Sequence, residues 1–290
     1  MTKVASDTAG RNGGARAPPS GRQIRLVLFD FDDTLFDHSR ALVEGLRALR
    51  SSQPRLRTKP FARVVGEYER LLELIQPGRP GGPATHSEAR AARFQRLDRW
   101  LGGRGDADNA QAWSAEYRAA YQAARTPVTG AVALLRDLKG RVGVGIVTNN
   151  HTAEQQEKLA ALGLTEWIDF MVTSEAVGVA KPDPAIFLPA LRAAGVSADQ
   201  ATMVGDSWAT DVVGARAAGL SAVWLHRWGR RPRGLPEVRE LRSLAPLRVA
   251  RRVLLAPTEA VRSVRPSSEP FLTPKPSGGG GSDGQPSRRR

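Results

Sequence analysis

Five short apolar runs recur along the chain: IRLVLF (24–29), VGVGIVT (142–148), DFMVTS (169–174), ATMVG (201–205) and SAVWLH (221–226). Each has strand length and is close to continuously apolar, the pattern of strands covered on both faces of a parallel sheet. Helical periodicity fills the later intervals. Ala131 to Leu138 precedes the second run, and Thr152 to Leu162 follows it and stops at Gly163. Pro184 to Ala194 opens on a proline and stops at Gly195, while Trp208 to Ala218 stops at Gly219. A proline suits a first turn because its missing N–H has no partner there, and a glycine suits the left-handed exit. Strand and helix alternating at this spacing predict βαβ units and an α/β fold.

The interval 40–125 breaks that alternation. It holds no strand-like run and carries amphipathic patterns such as FARVVGEYERLLELI (61–75) and AWSAEYRAAYQAA (112–124), with a Pro/Gly loop at 76–86. We read it as a helical insertion after the first strand; the alternative is that these helices belong to the main layer. Residues 1–23 lack periodicity, and residues 266–290 (PSSEPFLTPKPSGGGGSDGQPSRRR) are of low complexity, so both ends are expected to be disordered. The segment 235–244 (LPEVRELRSL) reads either as a last helix on the sheet or as the start of the tail. The resulting division is a disordered N-terminal tail at 1–23, a core from 24–39 and 126–245, a helical cap at 40–125, and a basic, largely disordered C-terminal extension at 246–290.

Composition narrows the picture. The 290 residues include no cysteine, which excludes disulfides and cysteine metal sites. No run approaches the roughly 20 apolar residues of a membrane span, and residues 1–23 lack a signal-like apolar run, so a cytoplasmic location is expected. The net charge of +14 invites a nucleic-acid reading. Residues 26–226, however, carry 23 basic and 23 acidic side chains, and the whole excess lies outside them. Basic ends attract polyanions weakly and without specificity, and no aromatics interleave with the final arginines to stack bases. No specific nucleic-acid partner and no membrane are expected.

The candidate chemistry sits where the apolar runs end. In open α/β sheets, ligands bind beyond the carboxyl ends of the strands. After the first run come Asp30, Asp32 and Thr34; after the second, Thr148 and Asn149; after the third, Lys181-Pro182-Asp183; after the fourth, Gly205-Asp206-Ser207, with Asp211 five residues past Asp206. One such aspartate is usually a turn or cap residue, but four polar sites in register are hard to assign to capping. Asp30 and Asp32 share a face of an extended chain at roughly 6–7 Å, so their charges oppose each other unless a cation intervenes. Oxygen donors without Cys or nearby His point to a hard divalent ion, Mg²⁺ above all. Lys181, Thr148 and Asn149 add cationic and hydrogen-bonding groups suited to a phosphoryl group. One carboxylate can attack phosphorus while its neighbour handles the leaving-group proton.

DFDDTLF, TNN, KPDP and GDSWATD, in this order, resemble the four motifs of the haloacid dehalogenase-like hydrolase superfamily from about residue 26 to 226. The resemblance implies a Rossmann-like, doubly wound parallel sheet with an inserted α-helical cap. It implies that Asp30 is the nucleophile and Asp32 the general acid/base. Mg²⁺ would be held by the Asp30 carboxylate, the Asp32 backbone carbonyl and Asp206, with Asp211 in support, and Thr148, Asn149 and Lys181 would bind phosphate. Carbon–halogen hydrolases of the superfamily lack the second acid, so Asp32 argues for the phosphatase branch. TNNHTAEQQEKLAALGL and FMVTSEAVGVAKPDPAIF are similar to members that include pyrimidine 5′-nucleotidases and the N-acylneuraminate 9-phosphatase. A nucleoside 5′-monophosphate is therefore the first expected substrate, with a sugar phosphate or phosphoglycolate next. Rival readings are a phosphotransferase, and a non-catalytic regulatory or polyanion-binding protein that works through its basic ends. Asp33 and Asp37 are assigned loop or capping duty; His38 is either a residue that reaches substrate where the chain enters the cap or an ordinary loop histidine, and His151 is read as a helix-start residue.

Overall fold

The computed structural model describes residues 23–77 and 82–257. Strand β1 (Leu26–Phe29) leads into four helices, α1 (His38–Ser52), α2 (Phe61–Leu74), α3 (His86–Trp100) and α4 (Ala107–Ala123). The chain then alternates through α5 (Ala131–Leu138), β2 (Gly143–Thr148), α6 (Thr152–Ala161), β3 (Phe170–Thr173), α7 (Ser174–Val177), α8 (Leu188–Ala194) and β4 (Ala201–Gly205). A π-helical turn (Trp208–Val212) runs into α9 (Val213–Ala217), followed by β5 (Ser221–Leu225), β6 (Arg239–Leu241) and α10 (Leu247–Leu254).

The sheet is parallel throughout, in the order β3-β2-β1-β4-β5-β6. Its five apolar runs become strands with both faces covered; β2, β1, β4 and β5 have ladder partners on both sides, and β3 lies at an edge. β1 is buried along its whole length. Its alternating side chains feed two cores: Val27 and Phe29 join Leu134, Leu135 and Ile146, whereas Leu26 and Leu28 join Ile186, Phe187 and Met203. Each such side chain contributes roughly 1.5–3 kcal/mol of burial. The order reverses at β1, where β2 lies on one side and β4 on the other. That switch point opens a crevice at the strand ends.

The helices between β1 and α5 leave and rejoin the sheet side by side. Asp37 N–H donates to Thr126 O at 3.0 Å and Val128 N–H to Leu35 O at 2.8 Å, so the two crossings form a short antiparallel ribbon. Within this layer Tyr68, Phe94, Trp113, Tyr117 and Tyr121 are buried together. Tyr117 and Tyr121 stack with ring centroids 5.8 Å apart, the packing role that their four-residue spacing predicts. The loop reading at 76–86 falls partly on residues 78–81, outside the described residues, and Thr85 already caps α3 with Glu88 in a capping box.

Two stretches differ from expectation. Residues 239–241, inside the segment read as a helix or a tail, form the edge strand β6 beside β5. Residues 247–254, assigned to the C-terminal extension, form α10, with Ala250 and Leu254 fully buried. The arginines of this stretch disguise it. Arg251 pairs with Asp137 at 2.9 Å and Arg239 donates to the carbonyls of Val253 and Ala256, both at 2.9 Å, so charged heads seal an apolar contact. The readings at 1–22 and 258–290 lie outside the described residues.

Candidate active site

Four strand ends deliver the candidate residues to the switch point. Asp30 follows β1, Thr148 closes β2 with Asn149 behind it, Lys181 stands on the loop after β3, and Asp206 follows β4. Asp30, Asp206 and Asp211 each offer a carboxylate oxygen within 4.8 Å of the others'. Lys181 lies among them. Its Nζ donates to Asp30 Oδ1 at 2.5 Å and to Val147 O at 2.9 Å, and stands 2.7 Å from Asp211 Oδ1. Lys181 thus bridges two of the three carboxylates and the end of β2.

The local sequence explains the assembly. Asn149 clamps the Lys181 backbone from both sides: its Nδ2 donates to Lys181 O at 2.8 Å, and its Oδ1 accepts from Lys181 N–H at 2.7 Å. The residue expected to bind phosphate thus also fixes the lysine. Gly205 is needed for a steric reason, because a Cβ there would lie 2.1 Å from Asp211 Oδ2. That carboxylate instead accepts from Ser207 N–H at 3.0 Å, and Trp224 Nε1 donates to Asp206 O at 2.7 Å. Asp33 adopts a left-handed φ of 61°, unusual for a residue with a side chain. Ser39 offsets this by donating through N–H at 2.9 Å and Oγ at 2.7 Å to the Asp33 carboxylate. Arg227 joins the same loop, reaching Asp33 O at 3.2 Å and Asp37 Oδ1 at 3.0 Å. Loop duty for Asp33 and Asp37 is what the structure displays, and Asp37 precedes α1 without a side-chain cap.

Three carboxylates around one ammonium leave an excess of negative charge. Burial pushes the Asp30 carboxyl well above the usual carboxylate range; Lys181 opposes this, and Asp211 and Asp206 reinforce it. Burial, with Asp211 and Asp33 beside it, raises Asp206 to about 7. Lys181 loses some basicity to burial, but Asp211 and Asp30 more than restore it. A divalent cation is the charge this cluster lacks, and its all-oxygen donors suit a hard ion. Mg²⁺ therefore fits the residues present.

Asp32 faces the other way. Its Oδ1 lies 3.0 Å from Lys158 Nζ, and its Oδ2 accepts from Gln155 Nε2 at 2.9 Å. Burial alone would raise its carboxyl, but Lys158, His38 and Gln155 hold it below the usual range. Gln155 also donates to Thr148 Oγ1 at 2.8 Å. Asp32 lines a cavity of about 500 Å³ between the sheet ends and the inserted helices, shared with His38, His86, Asn149, Glu154 and Lys158. His38 Nδ1 lies 2.8 Å from Tyr121 OH, and His151 Nδ1 lies 2.7 Å from Glu175.

Sequence reasoning missed Gln155, Lys158 and Arg227, and gave Gly205 no role of its own. A signal existed for the first two. Gln155 and Lys158 occupy the helical face that Leu159 and Leu162 mark as inward, where two polar residues need a reason.

Comparison with known proteins agrees with this geometry. The family model of haloacid dehalogenase-like hydrolases matches residues 24–219. Pyrimidine 5′-nucleotidase of Escherichia coli K12 is 43% identical over 112 residues, or 38% of this chain and 50% of that enzyme, so the match spans half of that relative. Glyceraldehyde 3-phosphate phosphatase of Pyrococcus furiosus is 33% identical over 208 residues, covering 70% of this chain and 81% of that enzyme. Among solved structures, a magnesium-bound hydrolase of Bacillus subtilis shares the fold, with a TM-score of 0.61 at 24% identity over 79% of this chain and 99% of its own.

Proposed function

Because this chain belongs to the haloacid dehalogenase-like hydrolase family, we propose that it is a Mg²⁺-dependent phosphatase acting on a small phosphomonoester through an aspartyl-phosphate. The observation that carries this reading is the placement of Asp30. It ends the central strand at the switch point, bonded to Lys181 and grouped with Asp206 and Asp211, while the second carboxylate, Asp32, lines the cavity two residues on.

In this mechanism the Asp30 carboxylate attacks phosphorus, and the ester oxygen leaves with a proton from Asp32; Lys158 favours the ionised form of Asp32, so the resting carboxylate first takes this proton up from solvent. Asp32, now ionised, takes a proton from water as that water attacks the aspartyl-phosphate, which frees phosphate and restores Asp30. Lys181 keeps Asp30 oriented and offsets charge on the phosphoryl oxygens, with Thr148 and Asn149 beside it as phosphate-binding groups. Asp30 and Asp206 would hold Mg²⁺ with the Asp32 carbonyl, and Asp211 would support it; when bound, the ion neutralises charge on the phosphoryl group. The helices of residues 38–123 act as a cap over the leaving-group end; they begin two residues before the cap interval 40–125 read from the sequence. The nucleotidase relative favours a nucleoside 5′-monophosphate, and the sugar-phosphate relative supports the alternative.

Phosphate release from a generic aryl phosphate should require Mg²⁺ and be abolished in Asp30→Asn. Turnover that persists in that variant, or that ignores Mg²⁺ and chelator, overturns the reading. A panel of nucleotides, sugar phosphates and phosphoglycolate then ranks substrates by kcat/KM.

A further inference from the structure

Lys158 and Gln155 are fully buried on α6, at positions where the periodicity calls for apolar side chains. Desolvating an ammonium costs several kcal/mol, and a buried ion pair rarely stabilises a fold more than well-packed apolar residues would. Stability therefore gives no reason for a lysine here. Its surroundings supply one: besides Asp32, Lys158 Nζ lies 3.3 Å from Glu154 and 5.5 Å from the centroid of the Phe36 ring. Phe36 belongs to the β1–α1 connection that also carries Asp32. Lys158 thus braces one connection at two points, and Gln155 ties the same carboxylate to Thr148 at the end of β2.

The geometry points to Lys158 and Gln155 as positioning residues for Asp32: they hold its carboxylate at one orientation on the cavity wall, where the leaving-group oxygen must meet it. Lys158 holds one oxygen, and Gln155 holds the other, which Asn150 Nδ2 also reaches at 3.5 Å, so the carboxylate is fixed at both oxygens. Glu154 links this brace to the inserted helices, since His86 Nδ1 of α3 lies 2.8 Å from Glu154. That contact leaves Glu154 partnered when Lys158 is replaced. This inference rests on the acid/base role proposed for Asp32.

The test is a double-mutant cycle on an alkyl phosphate, with kcat/KM as the readout because it reports steps through the first loss of the leaving group. Lys158→Met and Asp32→Asn are measured singly and together, and unfolding midpoints confirm folded protein. Asp32→Asn should cost about 10²–10⁴-fold on the alkyl ester, and much less on p-nitrophenyl phosphate, whose leaving group needs no proton. Lys158→Met should cost about tenfold or more in the wild-type background, as loss of an orienting partner does, and less than about threefold beside Asp32→Asn. Equal losses in both backgrounds, or no loss from Lys158→Met alone, overturn the positioning role. Full alkyl-phosphatase activity in Asp32→Asn overturns instead the acid/base reading beneath it. Lys158→Gln, which keeps a donor, is run through the same cycle and decides the question if the Met variant does not fold.

Discussion

At the scale of single residues, the site is a charge imbalance held in place by packing. Asp206 illustrates the consequence. Its carboxyl is raised to about 7 by burial and by Asp211 and Asp33, whereas in the unfolded chain an aspartate titrates near 3.9. Between those values the native state keeps a proton that the unfolded state has lost, so stability falls as pH rises through this window and levels off above it. Asp206→Asn removes that contribution. The stability difference between wild type and variant, measured by denaturant unfolding in chelator, should turn against wild type from about pH 4 to about pH 7. In the proposed assignment Mg²⁺ would bind the ionised cluster, so its addition should raise the wild-type midpoint more at pH 8 than at pH 5. A difference that stays flat with pH contradicts this account of the site. The motif aspartates were legible in the sequence because each follows an apolar run. Gln155 and Lys158 were legible only as polar residues on an inward helical face, because their role depends on which face of α6 meets Asp32.

At the scale of elements, buried parallel strands advertise themselves. β1 to β5 appear as continuous apolar runs because helices cover both faces of the sheet. β6 is the opposite case: three residues, only one of them buried, in a charged stretch whose local pattern is helical. It becomes a strand because β5 offers an open edge, and that information is not local. The helical layer was legible as a layer, but its closest approach was not. Gly45 of α1 lies against Tyr117 of α4, and a Cβ there would meet the ring at 2.7 Å. The ring is itself confined by Tyr68, Phe94 and Tyr121. Gly45→Ala gains about 0.5–1 kcal/mol of helix propensity, but overpacking costs about 1–3 kcal/mol. A net loss of about 1 kcal/mol in unfolding free energy is expected, and a stabilised variant would show that the two helices can separate without cost.

At the scale of the whole molecule, the fold divides the labour of the proposed reaction. The switch point gathers residues that are distant in sequence, from Asp30 to Asp211, onto one edge of the sheet, while the helices inserted after β1 stand over the cavity that Asp32 lines. In this proposal phosphoryl chemistry is built on the centre of the sheet, and selection of the leaving group falls to the inserted layer. The site's composition follows the same division, since 26–226 is charge-balanced and the net +14 lies outside it. Among the described residues, no helix is long and apolar enough to cross a membrane. In the proposed reaction phosphorus passes through Asp30. Acid quenching of the enzyme during turnover of a ³²P-labelled phosphomonoester, followed by peptide mapping, tests it most directly. Acid-stable, hydroxylamine-labile label is expected on the peptide containing Asp30 and absent from Asp30→Asn; label on another residue during full turnover would rule out Asp30 as the nucleophile.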